Sequence, residues 1–261
     1  MYKIINLAHC FRNPGLKRMF ALLRKEIENF LSSLIAYIVI VVFLLVVSFF
    51  LWVITFGQNI IVNGYASLDG LFAIAPMVFL FLIPAITMRM FAEEKKGGTI
   101  ELLLTQPISD IQIILAKFFA GVLLVVFALL PTLIYYYSVY QLGLPPGNID
   151  SGAMWGSYIG LLFLGATFVA IGLFSSSITD NQIVSFIVAA LISAFFYVGF
   201  EFIWPLDIFS NVGLMISSLG IISHYDSISR GVIDSRDLIY FISVIALFLM
   251  LTKFSLASRK W

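Results

Sequence analysis

Charge is what this sequence has least of. Of 261 residues, 11% are Asp, Glu, Lys or Arg, while 61% are hydrophobic and 16% aromatic. A soluble domain of this size needs far more polar surface, so the composition points to an all-α integral membrane protein. The single cysteine, Cys10, excludes an intrachain disulfide framework and reads as an unreactive thiol. The two histidines, His9 and His224, fall outside the apolar runs and on opposite sides of the expected membrane. With no His/Cys cluster at ligand spacing, no carboxylate pair within a run and no serine near a partner base, nothing suits a membrane-embedded enzyme or a metal centre. The phosphate-cradling pattern G-x-x-x-x-G-K-[ST] is missing, which excludes a chain that hydrolyses ATP by itself. A nucleic-acid-binding pattern, a low-complexity tract, a solenoid repeat and a channel-type filter are missing too. The first fifteen residues lack an apolar run of signal-peptide length, so the start is read as mature.

What is present is a series of six apolar runs, at about 34–56, 71–88, 111–137, 154–173, 183–204 and 238–256. Each is long enough for a hydrocarbon core of ~30 Å. The whole chain, 1–261, therefore reads as a single transmembrane domain. Pro76 and Pro84 inside the second run predict a kinked helix that relies on neighbours to satisfy freed backbone groups. Lys117, near the inner end of the third, is expected to snorkel. Before the first run, Leu16, Phe20, Leu23, Ile27 and Phe30 recur at helical spacing, with Lys17, Arg18, Arg24, Lys25 and Glu28 elsewhere on the wheel. That pattern predicts an amphipathic interfacial helix over 16–31, its cations against membrane lipid headgroups.

Thirteen of the fifteen Lys and Arg residues fall on one side of this topology, Arg230 and Arg236 being the exceptions. The positive-inside rule then places both termini in the cytosol. Trp52, Trp155 and Trp204 fall at the opposite boundary, where an aromatic belt is expected. The apolar segment 206–222 carries Asp207 and Asn211 and is read as a re-entrant outer helical segment before the last span, because a seventh crossing would put Lys253, Arg259 and Lys260 outside. Ala153, Gly156 and Gly160 form one small-residue ridge and Ala189, Ala190, Ser193 and Ala194 another, suited to close packing within one chain or across a dimer.

The charged island between the second and third spans, RMFAEEKKGGTIELLLTQPISD at 89–110, organises the rest. Gly97 and Gly98 end one helix, Thr99 offers an N-cap for a short apolar helix, Pro107 ends it, and Ser109 with Gln112 makes a capping box for the third span. A short helix across the tip of a helical hairpin is a docking handle. The polar, nearly uncharged stretch 175–182 reads as a second cytosolic turn beside it. Glu201, three residues before Trp204, is the one acid clearly inside a span and a candidate for the transport path or outer gate; its bland alternative is a carboxylate reaching the outer surface or bonded to Tyr197.

With six spans and FAEEKKGGTIELLLTQPISD at 91–110, the chain resembles the permease subunits of ABC-2-type ABC transporters. The resemblance extends to the basic N-terminal helix, to SSSITDNQ at 175–182 and to HYDSISRGVIDSRD at 224–237. Within the family it is most similar to the gliding-motility-associated permease branch of Bacteroidota. The resemblance implies a bacterial inner-membrane protein without catalysis of its own, seated on a cytosolic ABC ATPase subunit that holds ATP and Mg²⁺, this chain holding no cofactor. The coupling helix would be the ATPase contact, carried by Glu94, Thr99, Ile100, Glu101, Leu102, Leu103, Leu104 and Pro107, with Thr179, Asp180 and Asn181 as a second cytosolic contact. A second permease subunit, either a different chain with an extracytoplasmic domain or a second copy, would complete the path. The competing expectation is a membrane anchor or scaffold of a motility or secretion machine that moves no substrate.

Overall fold

A computed structural model describes residues 14–54, 57, 59–104, 108–203, 217–232 and 234–258, the side chains of 14–16 and 102–104 excepted. The described residues form helices joined by short turns and connections, without strands. In chain order the helices are α1 (Pro14–Ser32), α2 (Leu34–Ser48, prolonged to Val53 by a π-helical turn), α3 (Ile60–Asn63), α4 (Asp69–Thr87), α5 (Arg89–Lys96), α6 (Thr99–Leu104) and α7 (Asp110–Leu129). There follow α8 (Leu133–Leu142), α9 (Ser151–Ile178), α10 (Gln182–Ala194), α11 (Phe200–Ile203), α12 (Ile221–Ser229) and α13 (Ser235–Ala257). Six stretches are long and apolar enough to cross a membrane: Leu34–Val53, Asp69–Lys96, Asp110–Leu142, Ser151–Ile178, Gln182–Ile203 and Ser235–Ala257. They match the six expected spans, but the second, third and fourth run several residues further than hydropathy alone indicated.

The bundle is built around α9, against which α4, α5, α7, α10, α12 and α13 all pack. Its apolar stretch is 78% buried, against 22% for Gln182–Ile203 and for α13. Small residues make this possible. A methyl group on Gly165 would meet Val125 at 2.7 Å, and one on Gly121 would meet Val169 at 2.7 Å, so α7 and α9 key into each other antiparallel, glycine against valine in both directions. Gly172 is pressed on Thr87 of α4. Gly156 and Gly160 of the first predicted ridge pack within the chain, on Gly231 and on Ile228 of α12. Of the second ridge, Ala189 and Ser193 face inward and are fully buried.

The prolines of α4 behave as their chemistry requires. Pro76 has no N–H to offer the carbonyl of Phe72 one turn earlier, and the Tyr225 hydroxyl of α12 donates to that carbonyl instead, at 2.7 Å. The helix is interrupted later, at Met88, where α4 gives way to α5.

Candidate functional site

At Met88 the chain starts a new helix, and a neighbour supplies the missing cap. The Ser176 hydroxyl, from the end of α9, accepts from the backbone N–H of Phe91 (2.9 Å) and Ala92 (3.0 Å) and donates to the Met88 carbonyl (3.1 Å). The following carbonyl, that of Ser177, accepts from Ser255 of α13 at 3.0 Å and from the ammonium of Lys95. Ser175 donates to the Ser185 carbonyl at 2.7 Å. Residues 175–177 are thus not a cytosolic turn: all three lie inside α9 and are fully buried. A run of hydroxyls reads as a loop by composition, but each here bonds a carbonyl or an amide within the bundle. The turn itself is limited to Thr179, Asp180 and Asn181; Asn181 caps α10 by accepting from the Ile183 N–H at 2.9 Å.

The hairpin tip follows. α5 ends at the glycine pair, with Gly98 in the left-handed conformation (φ 69°) that favours glycine. Thr99 does not cap α6 from outside; it is that helix's first residue, and its hydroxyl donates back to the Glu94 carbonyl at 3.3 Å, closing the turn. Ile100 packs on the apolar core and Glu101 is exposed. Leu102, Leu103 and Leu104 belong to α6 by their backbone; their side chains, and Pro107, lie outside the described residues. The capping box at the start of α7 forms, the Ser109 N–H donating to Gln112 Oε1 at 3.2 Å.

Beneath the tip lies the feature that sequence reasoning missed. Lys117, expected to snorkel, is 1% exposed and points inward. Its ammonium donates to Glu26 of α1 (2.9 Å), Glu94 of α5 (2.9 Å) and the Met90 carbonyl (2.8 Å), and lies 5.2 Å from the centre of the Phe91 ring. One cation thereby joins three separate elements: the N-terminal helix, the hairpin tip and the third span. Burying a lone ammonium is prohibitive, and two carboxylates with a carbonyl are what make its burial tolerable. Beside it a cleft of about 560 Å³ opens between α1 and the tip, lined in part by Lys25, Asn29, Arg89, Glu93 and Thr99. Oε2 of Glu94, a residue lining the same cleft, is buried without a partner among the described residues. A signal for this triad existed. Glu26 sits one turn after Leu22, on the packed side of α1, where an unpaired acid is costly, and Lys117 is its complement in a span.

The opposite end of the bundle carries the other candidate. Glu201 of α11 lies near enough to Asp226 of α12 for their like charges to interact. α12 is fastened to α13 by His224, which bonds Asp237 Oδ1 at 2.7 Å and the Ser218 carbonyl at 2.9 Å while stacking on Tyr240 at 4.0 Å. The 206–222 segment expected to be re-entrant lies outside the described residues up to 216; its last two residues open α12. No group of three or more potential metal ligands occurs among the described residues.

A bundle with six helices long and apolar enough to cross a membrane, its second and third joined by a broken, charged hairpin and pinned to an N-terminal helix by a buried ion triad, marks a polytopic membrane protein. The sequence model for ABC-2 family transporter proteins matches residues 20–258, nearly the whole chain, and the protein belongs to that family. Membership implies an ABC ATPase partner. No curated protein matches the chain significantly.

Proposed function

We propose that this chain is the transmembrane permease subunit of an ABC transporter, using ATP hydrolysis on a separate ATPase subunit for substrate export or mechanical work linked to gliding motility. The observation that carries the reading is the Lys117–Glu26–Glu94 triad, which ties α1, the hairpin tip and the third span to one another. A helix that docks an engine is useful only if its displacement reaches the membrane, and a buried three-way ion pair resists shear between the elements it joins. The distribution of cations supports a cytosolic position for the tip and both termini. The ATPase, binding ATP and Mg²⁺, would seat α6 in a groove through Ile100, Glu101 and the three leucines. Closure of two ATPase subunits would drive α5 and α6 as one lever against α4 and α7. The path would lie between this chain and a second permease subunit, where the sparsely buried α10 and α13 leave apolar surface for a partner or for lipid.

Replacing Leu103 with Asp tests the lever. The variant chain is expected to insert and unfold at the normal temperature while losing ATPase association and ATP-dependent activity. Survival of both association and activity would overturn the reading. Reconstitution with the ATPase separates transport from anchoring, since a scaffold would show hydrolysis with no flux of any cargo.

A further inference from the structure

At the end of the bundle away from the hairpin, a cavity of about 650 Å³ lies between α4, the start of α9, Tyr197 and α12. That is the size of a small-molecule site. Its inner wall is aromatic and thioether: Phe72, Met154, Tyr197 and Tyr225 are each no more than 4% exposed. Its rim carries three exposed carboxylates, Asp69, Asp150 and Asp226, against one cation, Arg230. Two side chains there lack partners. The Asp226 carboxylate makes no hydrogen bond or ion pair among the described residues, Arg230 acting on it only through its field. Tyr197 is 4% exposed, lines the cavity and lies within the field of Asp226, yet its hydroxyl has no hydrogen bond among the described residues. The buried Tyr158 and Tyr225 each place their hydroxyl on a hydroxyl or a carbonyl, whereas that of Tyr197 is left to the cavity it lines, where a ligand can reach it.

We propose that this cavity is a binding site for an organic primary ammonium carried on an apolar body, the charge held by Asp226 and the Tyr197 hydroxyl and the body by the aromatic and methionine wall. An anion would meet three carboxylates at the rim. A neutral apolar molecule would leave both polar groups as they stand. An ammonium relieves the unpaired carboxylate, donates to the phenol oxygen and lies against ring faces that attract cations. The site's role as a vestibule for cargo rests on the permease reading; the site itself does not, and it is measured without the ATPase.

The experiment uses the full chain in nanodiscs and monodansylcadaverine, a fluorescent primary amine, with its neutral N-acetyl derivative as the control and empty nanodiscs subtracted. Saturable binding of the amine is expected, with the acetyl derivative at least about fivefold weaker. Asp226→Asn should weaken the amine by about fivefold and Tyr197→Phe by about twofold, while Asp226→Glu restores most of the affinity and shows that the fold has survived. Equal binding of the acetyl derivative, no saturable binding, or indifference to both substitutions would overturn the proposal. Repeating the titration with phosphatidylglycerol alone and with added phosphatidylethanolamine identifies the source: competition by the latter assigns the site to a lipid headgroup amine, its absence to a soluble amine. If binding holds but ATP never drives movement of the probe, the site stands and its place on a transport path falls.

Discussion

The two ends of this bundle handle charge in opposite ways. At the hairpin end Lys117 sits 1% exposed with its cation fully engaged by two carboxylates and a carbonyl, and the result is a joint. At the far end Asp226 and its neighbours stand around a cavity with one arginine among them, and the result is a mouth. A closed, paired cluster holds elements in register and asks nothing of a ligand. An open, unbalanced one leaves charge at the surface for a ligand to meet. The same few charges in an apolar chain are thus divided between mechanics and recognition.

The sharpest way to break the joint is to remove its cation. Lys117→Met leaves Glu26 and Glu94 buried against each other with no compensating charge, and loss of one partner from a buried cluster costs about 3–5 kcal/mol. The variant is expected to show a large drop in unfolding temperature and rapid hydrogen exchange in α1 and α5 before the remainder of the bundle. The triple variant K117M/E26Q/E94Q should recover most of the stability, because removing all three charges removes the desolvation cost with them. If K117M is as stable as the parent, the triad is not a joint. If the triple variant is stable but uncoupled from the ATPase, the ions serve transmission rather than folding.

Much of this fold was legible in the sequence, and the limits are physical. Hydropathy places all six spans, because runs of apolar residues have one cheap destination. The glycine pair at 97–98 and the capping box at Ser109 are local signals set by backbone chemistry within a few residues, and both formed as expected. Glu26 on the packed side of α1 and Lys117 in a span each signalled a buried charge, but their pairing was not legible, because they lie 91 positions apart and only the packing of α1 under α7 brings them to 2.9 Å. Ser175–Ser177 misled for a related reason. Three hydroxyls together are turn-like by propensity, and only the break at Met88, on another helix, gives Ser176 its partners. Glu201 drew notice as an acid in an apolar run, yet the group with the stronger case at that end is Asp226, on the next described helix along the chain.

That serine offers the second test, on the same side of the comparison. Ser176→Ala removes the group that serves the amides of Phe91 and Ala92 and the Met88 carbonyl, all in a buried setting, and should cost about 1–3 kcal/mol. The effect should be local. Hydrogen exchange at Phe91 and Ala92 should accelerate, while α12 and the amine site keep their parental behaviour. Equal protection in the variant would mean that the break at Met88 closes by itself and that α5 is held by the triad alone.

The smallest expected effect tests the mouth, and its sign is what matters. Desolvation at the rim raises the pKa of Asp226 from its ordinary value; Arg230, at the C-cap of the same helix, opposes this, and Glu201 from α11 adds to it. Tyr197 and Tyr225 flank it, and Asp69 and Asp150 face the same cavity from α4 and from the start of α9. A carboxyl whose folded pKa is raised binds its proton more tightly in the folded state, so its contribution favours the fold below the unfolded pKa and is lost as pH rises through the folded one. The parent should therefore lose a little stability relative to Asp226→Asn as the pH climbs from acid through that raised value, read as a difference between their unfolding temperatures. Monodansylcadaverine remains a cation throughout, and by linkage it must pull the Asp226 pKa down and flatten the difference. Its affinity should correspondingly fall as acidification through that pKa neutralises the carboxylate. A pH difference that persists unchanged at saturating amine would mean that the ligand and the carboxylate never meet.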